Sequence, residues 1–108
     1  MAYDENLALR IRSILEKLGT EVEEKKMFGG ITFLYRGKMT VGIVKDELCA
    51  RYLSADHHSV LSENGVRPMD FTGKEMKDFV YVNQDSLQNE EDLMRWIAMG
   101  LDHAKSKL

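Results

Sequence analysis

The chain has 108 residues, with 44% hydrophobic and 31% charged side chains, enough for one globular domain over 1–108 and too apolar for a disordered chain. Fifteen Lys and Arg against eighteen Asp and Glu leave a net charge of −3, which disfavours a general nucleic-acid binder. A single cysteine, Cys49, excludes an internal disulfide and a Cys-x-x-Cys zinc or redox pair and fits a reducing cytoplasm.

The N-terminus, Met1-Ala2-Tyr3-Asp4-Glu5, carries acids where a signal peptide needs bases. No stretch is long and apolar enough to span a bilayer, so a soluble, unprocessed, cytoplasmic protein is expected. Leu7, Ile11, Ile14, Leu15 and Leu18 fall at helical spacing, with Asp4 as cap and Gly19 as stop. From Val22 to Leu53 the period becomes two. Ile31, Phe33 and Tyr35 form one strand, Met39, Val41 and Ile43 the next, and Leu48 to Leu53 a further one. Arg36-Gly37-Lys38 and Lys45-Asp46-Glu47 suit hairpin turns, so these strands should form an antiparallel meander.

Ser54 is placed to cap a second helix over Ala55 to Glu63, stopped by Asn64-Gly65, with Val60 and Leu61 buried. Val66 to Phe71 reads as extended, and Pro68 suits an edge strand. Thr72-Gly73 should turn the chain into a last strand, Phe79 to Val82. A final helix capped by Asn89 has Leu93, Trp96, Ile97, Gly100, Leu101 and Ala104 on one face, and Gly100 permits close approach to the sheet. The expected fold is α+β: an antiparallel sheet with helices mainly on one face, in the order α-β(3-4)-α-β(2)-α. The other face is then available for a partner, a ligand or dimerisation.

Three stretches in this order resemble the TfoX N-terminal domain family: Glu24-Lys25-Lys26-Met27-Phe28-Gly29-Gly30, Gly65-Val66-Arg67-Pro68-Met69-Asp70-Phe71-Thr72-Gly73, and Met76-Lys77 before Phe79-Val80-Tyr81-Val82. The resemblance covers essentially the whole chain and implies a stand-alone, bacterial, cytoplasmic relative of the TfoX/Sxy competence regulators. Those regulators act with the cyclic-AMP receptor protein at promoters, and their full-length forms carry a further helical domain, whereas this chain ends at Leu108 after its third helix. The family supplies no catalytic residues and no cofactor. Asp78 departs from the glycine that the family often has after Met-Lys, which is expected to alter a turn locally.

Several residues carry alternative readings. Paired glycines at Gly29 and Gly30 allow an anion to approach the main chain, but the ordinary role of Met27-Phe28-Gly29-Gly30 is a bend or bulge placing Met27 and Phe28 in the core. Arg51 and Arg67, on one face with Lys25, would suit a carboxylate or phosphate; a structural pairing with Asp70, Asp78 or a helix carboxylate is the plainer alternative. Pro68, Met69 and Met76 sit beside them, and such methionines serve either as adaptable contacts or as core filling. Adjacent His57 and His58 diverge on a helix and, with His103, read as surface histidines, not ligands. Cys49 lacks a neighbouring base and reads as a small buried hydrophobe. The function these features support is a non-enzymatic module that docks on a protein partner, without direct nucleic-acid or membrane contact. The rival is an anion-binding protein or enzyme using Arg51, Arg67 and Lys25, and homodimerisation through a strand or sheet face is compatible with both.

Overall fold

The structure, a computed structural model, describes residues 3–27, 29–53, 55, 57–71 and 74–108, with 27, 57, 69–71 and 74–77 described by backbone alone. Among these the order is α1 (Glu5–Lys17), β1 (Glu23–Met27), β2 (Gly30–Tyr35), β3 (Lys38–Val44), β4 (Glu47–Arg51), α2 (His57–Leu61), β5 (Val66–Phe71), β6 (Lys74–Val82), a 3-10 turn (Gln84–Leu87) and α3 (Glu90–Ser106). The six strands form one antiparallel sheet in the order β1-β2-β3-β4-β6-β5. The expected class and element order therefore hold, with four strands before α2 and two after it.

Local chemistry fixes the helix ends. The Asp4 carboxylate accepts from the Leu7 amide at 3.1 Å, and Asn89 accepts from Asp92 at 3.0 Å, each satisfying an amide with no partner inside its helix. Acidic residues follow Asn89 in the first turn of α3 and Lys105 stands in its last, as the helix dipole favours. Both long helices bury their stripes on the same side of the sheet. Leu7, Ile11 and Ile14 of α1 and Leu93, Trp96 and Ile97 of α3 meet Ile31, Phe33, Val41, Ile43, Leu48, Ala50, Val80 and Val82 in a single cluster. Val60 of α2 and Leu87 of the 3-10 turn join it from the same side.

α3 comes closest to the sheet at β3. The β2–β3 register slips between Phe33 and Leu34, leaving Thr40 as the extra residue, whose hydroxyl donates to the Phe33 carbonyl at 2.8 Å. A Cβ on Gly100 would lie 2.4 Å from the Thr40 carbonyl oxygen, so the glycine is what allows the helix to seat on this bulge. The close approach expected of Gly100 is thus confirmed.

Three sequence expectations need correction. The second helix is only five residues long and starts at His57, not Ala55; the proposed cap Ser54 lies outside the described residues. The last strand begins at Lys74, five residues before Phe79, because β6 carries a large bulge: Pro68 faces Val80, yet two residues later Asp70 faces Glu75. Asp78 sits in that bulge with φ +68. It thereby keeps the left-handed backbone natural to glycine, within a strand and not at a turn. The turn residues Thr72 and Gly73 lie outside the described residues.

Candidate functional site

On the face opposite the helices, the register brings one residue from every strand into a single row: Lys25, Thr32, Gly42, Cys49, Tyr81 and Arg67. Arg51 and its partner Phe79 lie on the same face one step along. Cys49 and Phe79 form a small second cluster against which Met39, Val44 and Tyr81 pack half-buried. Among the described residues no helix contributes to this cluster, so the shielding of Cys49 comes from neighbouring strand side chains.

The two arginines lie over successive outward-facing rings of β6. The Arg67 guanidinium is 4.4 Å from the Tyr81 ring centroid and the Arg51 guanidinium 4.7 Å from that of Phe79. Arg67 also donates to both carboxylate oxygens of Glu47, at 2.7 and 3.1 Å. Among the described residues its carboxylate partner is therefore Glu47, two strands away; the side chain of Asp70, one of the partners expected for it, lies outside them. Arg51 is held differently: its Nε is buried without a hydrogen-bond partner among the described residues, and burial lowers its pKa against the opposing field of Asp78.

Lys25 shares this face but stands in the opposite edge strand from Arg67. Five strand spacings separate the two ends of the row, about 24 Å along the sheet. Lys25, Arg51 and Arg67 therefore do not converge on one anion, and Arg67 already holds a carboxylate. Pro68 is exposed in edge strand β5, as its missing amide proton requires. Met69 and Met76 are in β5 and β6, and their side chains lie outside the described residues.

Met27 ends β1 and Gly30 opens β2. Met27 pairs with Gly30, leaving a two-residue loop in which Gly29 has φ +74, a conformation that disfavours any side chain. Gly30 is required for a different reason: a Cβ there would fall 1.7 Å from the Ile43 carbonyl oxygen of β3. The pair thus has a backbone explanation. Phe28 and the Met27 side chain, expected in the core, lie outside the described residues.

Sequence reasoning missed His103, read as a surface residue. It is 2% exposed, with Nε2 3.6 Å from an Asp78 carboxylate oxygen and Nδ1 buried without a partner among the described residues. Its position seven after Trp96 and three after Gly100 puts it on the buried stripe of α3, a signal that was present in the spacing. Burial and the positive charge of Arg51 lower its pKa, while Asp78 opposes them. Cys49 fits its reading as a buried hydrophobe: it is 4% exposed, and burial pushes its thiol up to about 12. Among the described residues no group of three His, Cys, Asp or Glu is placed to hold a metal ion, and no helix is long and apolar enough to cross a membrane.

Among the described residues the helices pad one side of an antiparallel sheet and leave the other bare, with an aromatic and arginine ladder on the bare side, which defines an α+β domain whose distinctive surface is a sheet face. The family model described as TfoX N-terminal domain matches residues 13–104, and the chain belongs to that family. No curated protein and no solved structure matches it.

Proposed function

We propose that this chain is a non-enzymatic regulatory module, of the kind found in TfoX/Sxy competence regulators, that docks on a protein partner through the helix-free face of its sheet. One observation carries the reading: Met39, Val44 and Tyr81 pack half-buried around Cys49 and Phe79, in a cluster to which, among the described residues, only strands contribute. Removing the remaining accessible part of such side chains from water on docking would supply about 25 cal/mol per Å2, and the flanking arginines fix orientation. The buried, protonated Cys49 supports a role without nucleophilic chemistry. Membership of the family makes the cyclic-AMP receptor protein at a promoter the first partner to test.

The test immobilises the cyclic-AMP receptor protein on promoter DNA and measures binding of the wild-type chain and of Val44→Glu, with thermal melts to show that both are folded. Binding by the wild type, weakened roughly tenfold or more by the new charge, supports the proposal. No binding, or equal binding by both, contradicts it.

A further inference from the structure

The two edges of the sheet differ in what they offer another strand. At β5 the outward positions are Val66 and Pro68, because the Asn83 N–H donates to the Gly65 carbonyl at 2.8 Å and alternate residues of an antiparallel strand turn their backbone groups to opposite sides, which leaves Arg67 bonding inward to β6. Pro68 has no N–H, which blunts that edge. At β1 the two-residue loop closes on the Met27–Gly30 pair, so Met27, Lys25 and Glu23 exchange hydrogen bonds with β2. The N–H and C=O groups of Val22, Glu24 and Lys26 then point away from the sheet. Glu23, Glu24, Lys25 and Lys26 are all exposed, and among the described residues β1 has β2 as its one neighbour in the strand order.

A second copy of the same strand fits this edge in a restricted set of ways. Antiparallel pairing about a two-fold axis perpendicular to the sheet keeps each copy's helix side on the same side, so only residues of equal parity face each other. With the axis at Glu24, Glu23 faces Lys25 of the second copy twice, on the helix-free side. On the helix side Glu24 faces its own equivalent, and the like charges are neutralised: Arg12 already donates to both oxygens of each Glu24, at 2.6 and 2.8 Å. Lys26 of the second copy then faces Val22, at the mouth of a cleft of about 580 Å3 between α1 and β1 that carries Glu16 and Glu21. Moving the axis to Lys25 instead sets two lysines of like charge against each other on the helix-free side, with no counter-charge such as Arg12 supplies at Glu24.

We propose that the β1 edge pairs with the β1 edge of a second copy of this chain, two-fold about Glu24, joining two six-stranded sheets into one. Five residues a side form a small contact, so the dimer exchanges and depends on concentration. Each cross-strand charge pair contributes modestly, and reversing one member turns both symmetric pairs repulsive, which should weaken association roughly tenfold.

Sedimentation equilibrium of the full chain over a concentration series reads the mass. The wild type is expected to rise from 12.4 kDa toward twice that value. Glu23→Lys and Lys25→Glu should each remain monomeric at the concentrations where the wild type associates, and their equimolar mixture should recover the dimer, since both cross-strand pairs are then opposite in sign. Lys26→Pro, which removes an outward N–H together with the lysine charge, should also remain monomeric, and Lys26→Gln, which keeps the N–H, should retain more of the association; circular dichroism melts establish that each variant is folded. A wild type that stays at the monomer mass overturns the proposal, as does a dimer indifferent to the single reversals or a mixture that does not reassociate.

Discussion

The two faces of this sheet are built on different rules. The covered face is filled by aliphatic and aromatic side chains from α1, α3 and five strands, with Phe33, Ala50, Val80, Val82, Leu93 and Ile97 at 0% exposure. The other face has a cluster of two buried residues, half-buried Met39, Val44 and Tyr81, and two arginines lying on aromatic rings. One face specifies the fold, and the other is left with surface to trade. The contrast teaches where substitutions should be costly and where they should instead change recognition.

The largest expected effect is on the covered side. Trp96→Ala removes a side chain that is 1% exposed beneath α3 and should cost about 3–5 kcal/mol in urea-unfolding free energy; Tyr81→Ala, on the open face, should cost distinctly less. Equal costs would erase the distinction between the faces. Gly30→Ala comes next, because the new methyl would overlap the Ile43 carbonyl and force β2 from β3, at about 3 kcal/mol. A near-neutral result would show that the strands can part there.

The third expectation concerns pH. His103 is held neutral by burial and by Arg51, so its folded pKa is below its unfolded value of about 6.5. Its contribution is fully present above the unfolded pKa and is lost as pH falls through 6.5 toward the lower folded value, because the unfolded chain binds the proton first. Asp4 and Glu24, whose folded pKa values are also lowered, lose their contributions at more acid pH, below the ordinary carboxylate range. Urea midpoints at pH 7.5 and 5.5 should therefore fall for the wild type and fall less for His103→Gln; identical declines would remove His103 as the cause.

The smallest effect belongs to the open face. Arg67→Ala breaks a half-exposed pair with Glu47 and a ring contact and should cost about 0.5–1 kcal/mol. An anion screen by thermal shift sharpens the same point, because three cations spread across the sheet predict no saturable stabilisation by phosphorylated or carboxylated metabolites. A ligand at 100 times its dissociation constant would add about 2.7 kcal/mol, and a shift of that size would restore the rival reading.

The elements most readable from sequence were those with a local cause. Helical spacing in α1 and α3, the caps Asp4 and Asn89, and the period-two strands around Arg36-Gly37 all follow from neighbouring residues. What was hidden depends on contacts distant in the chain. The β6 bulge lies between the pairing of Phe79 with Arg51 of β4 and the shifted register of β5 beyond Pro68, and no short window of sequence records that meeting of two partner strands. The pairing of Arg67 with Glu47 reaches across β6 and twenty positions of sequence. The separation of Lys25 from the arginines follows from strand order alone: parity places them on one face, but topology puts Lys25 at the far edge. His103 was legible in principle, since its spacing from Trp96 puts it on the buried stripe, but its polarity argued for the surface.

The central claim is that recognition uses the helix-free face. Backbone amide chemical shifts of the isotope-labelled chain, recorded as the cyclic-AMP receptor protein on promoter DNA is added, test it residue by residue. The account predicts changes concentrated at Met39, Val44, Cys49 and Tyr81 with the helices α1 and α3 unmoved. Changes confined to the helices, or none at all at saturating partner, would contradict it.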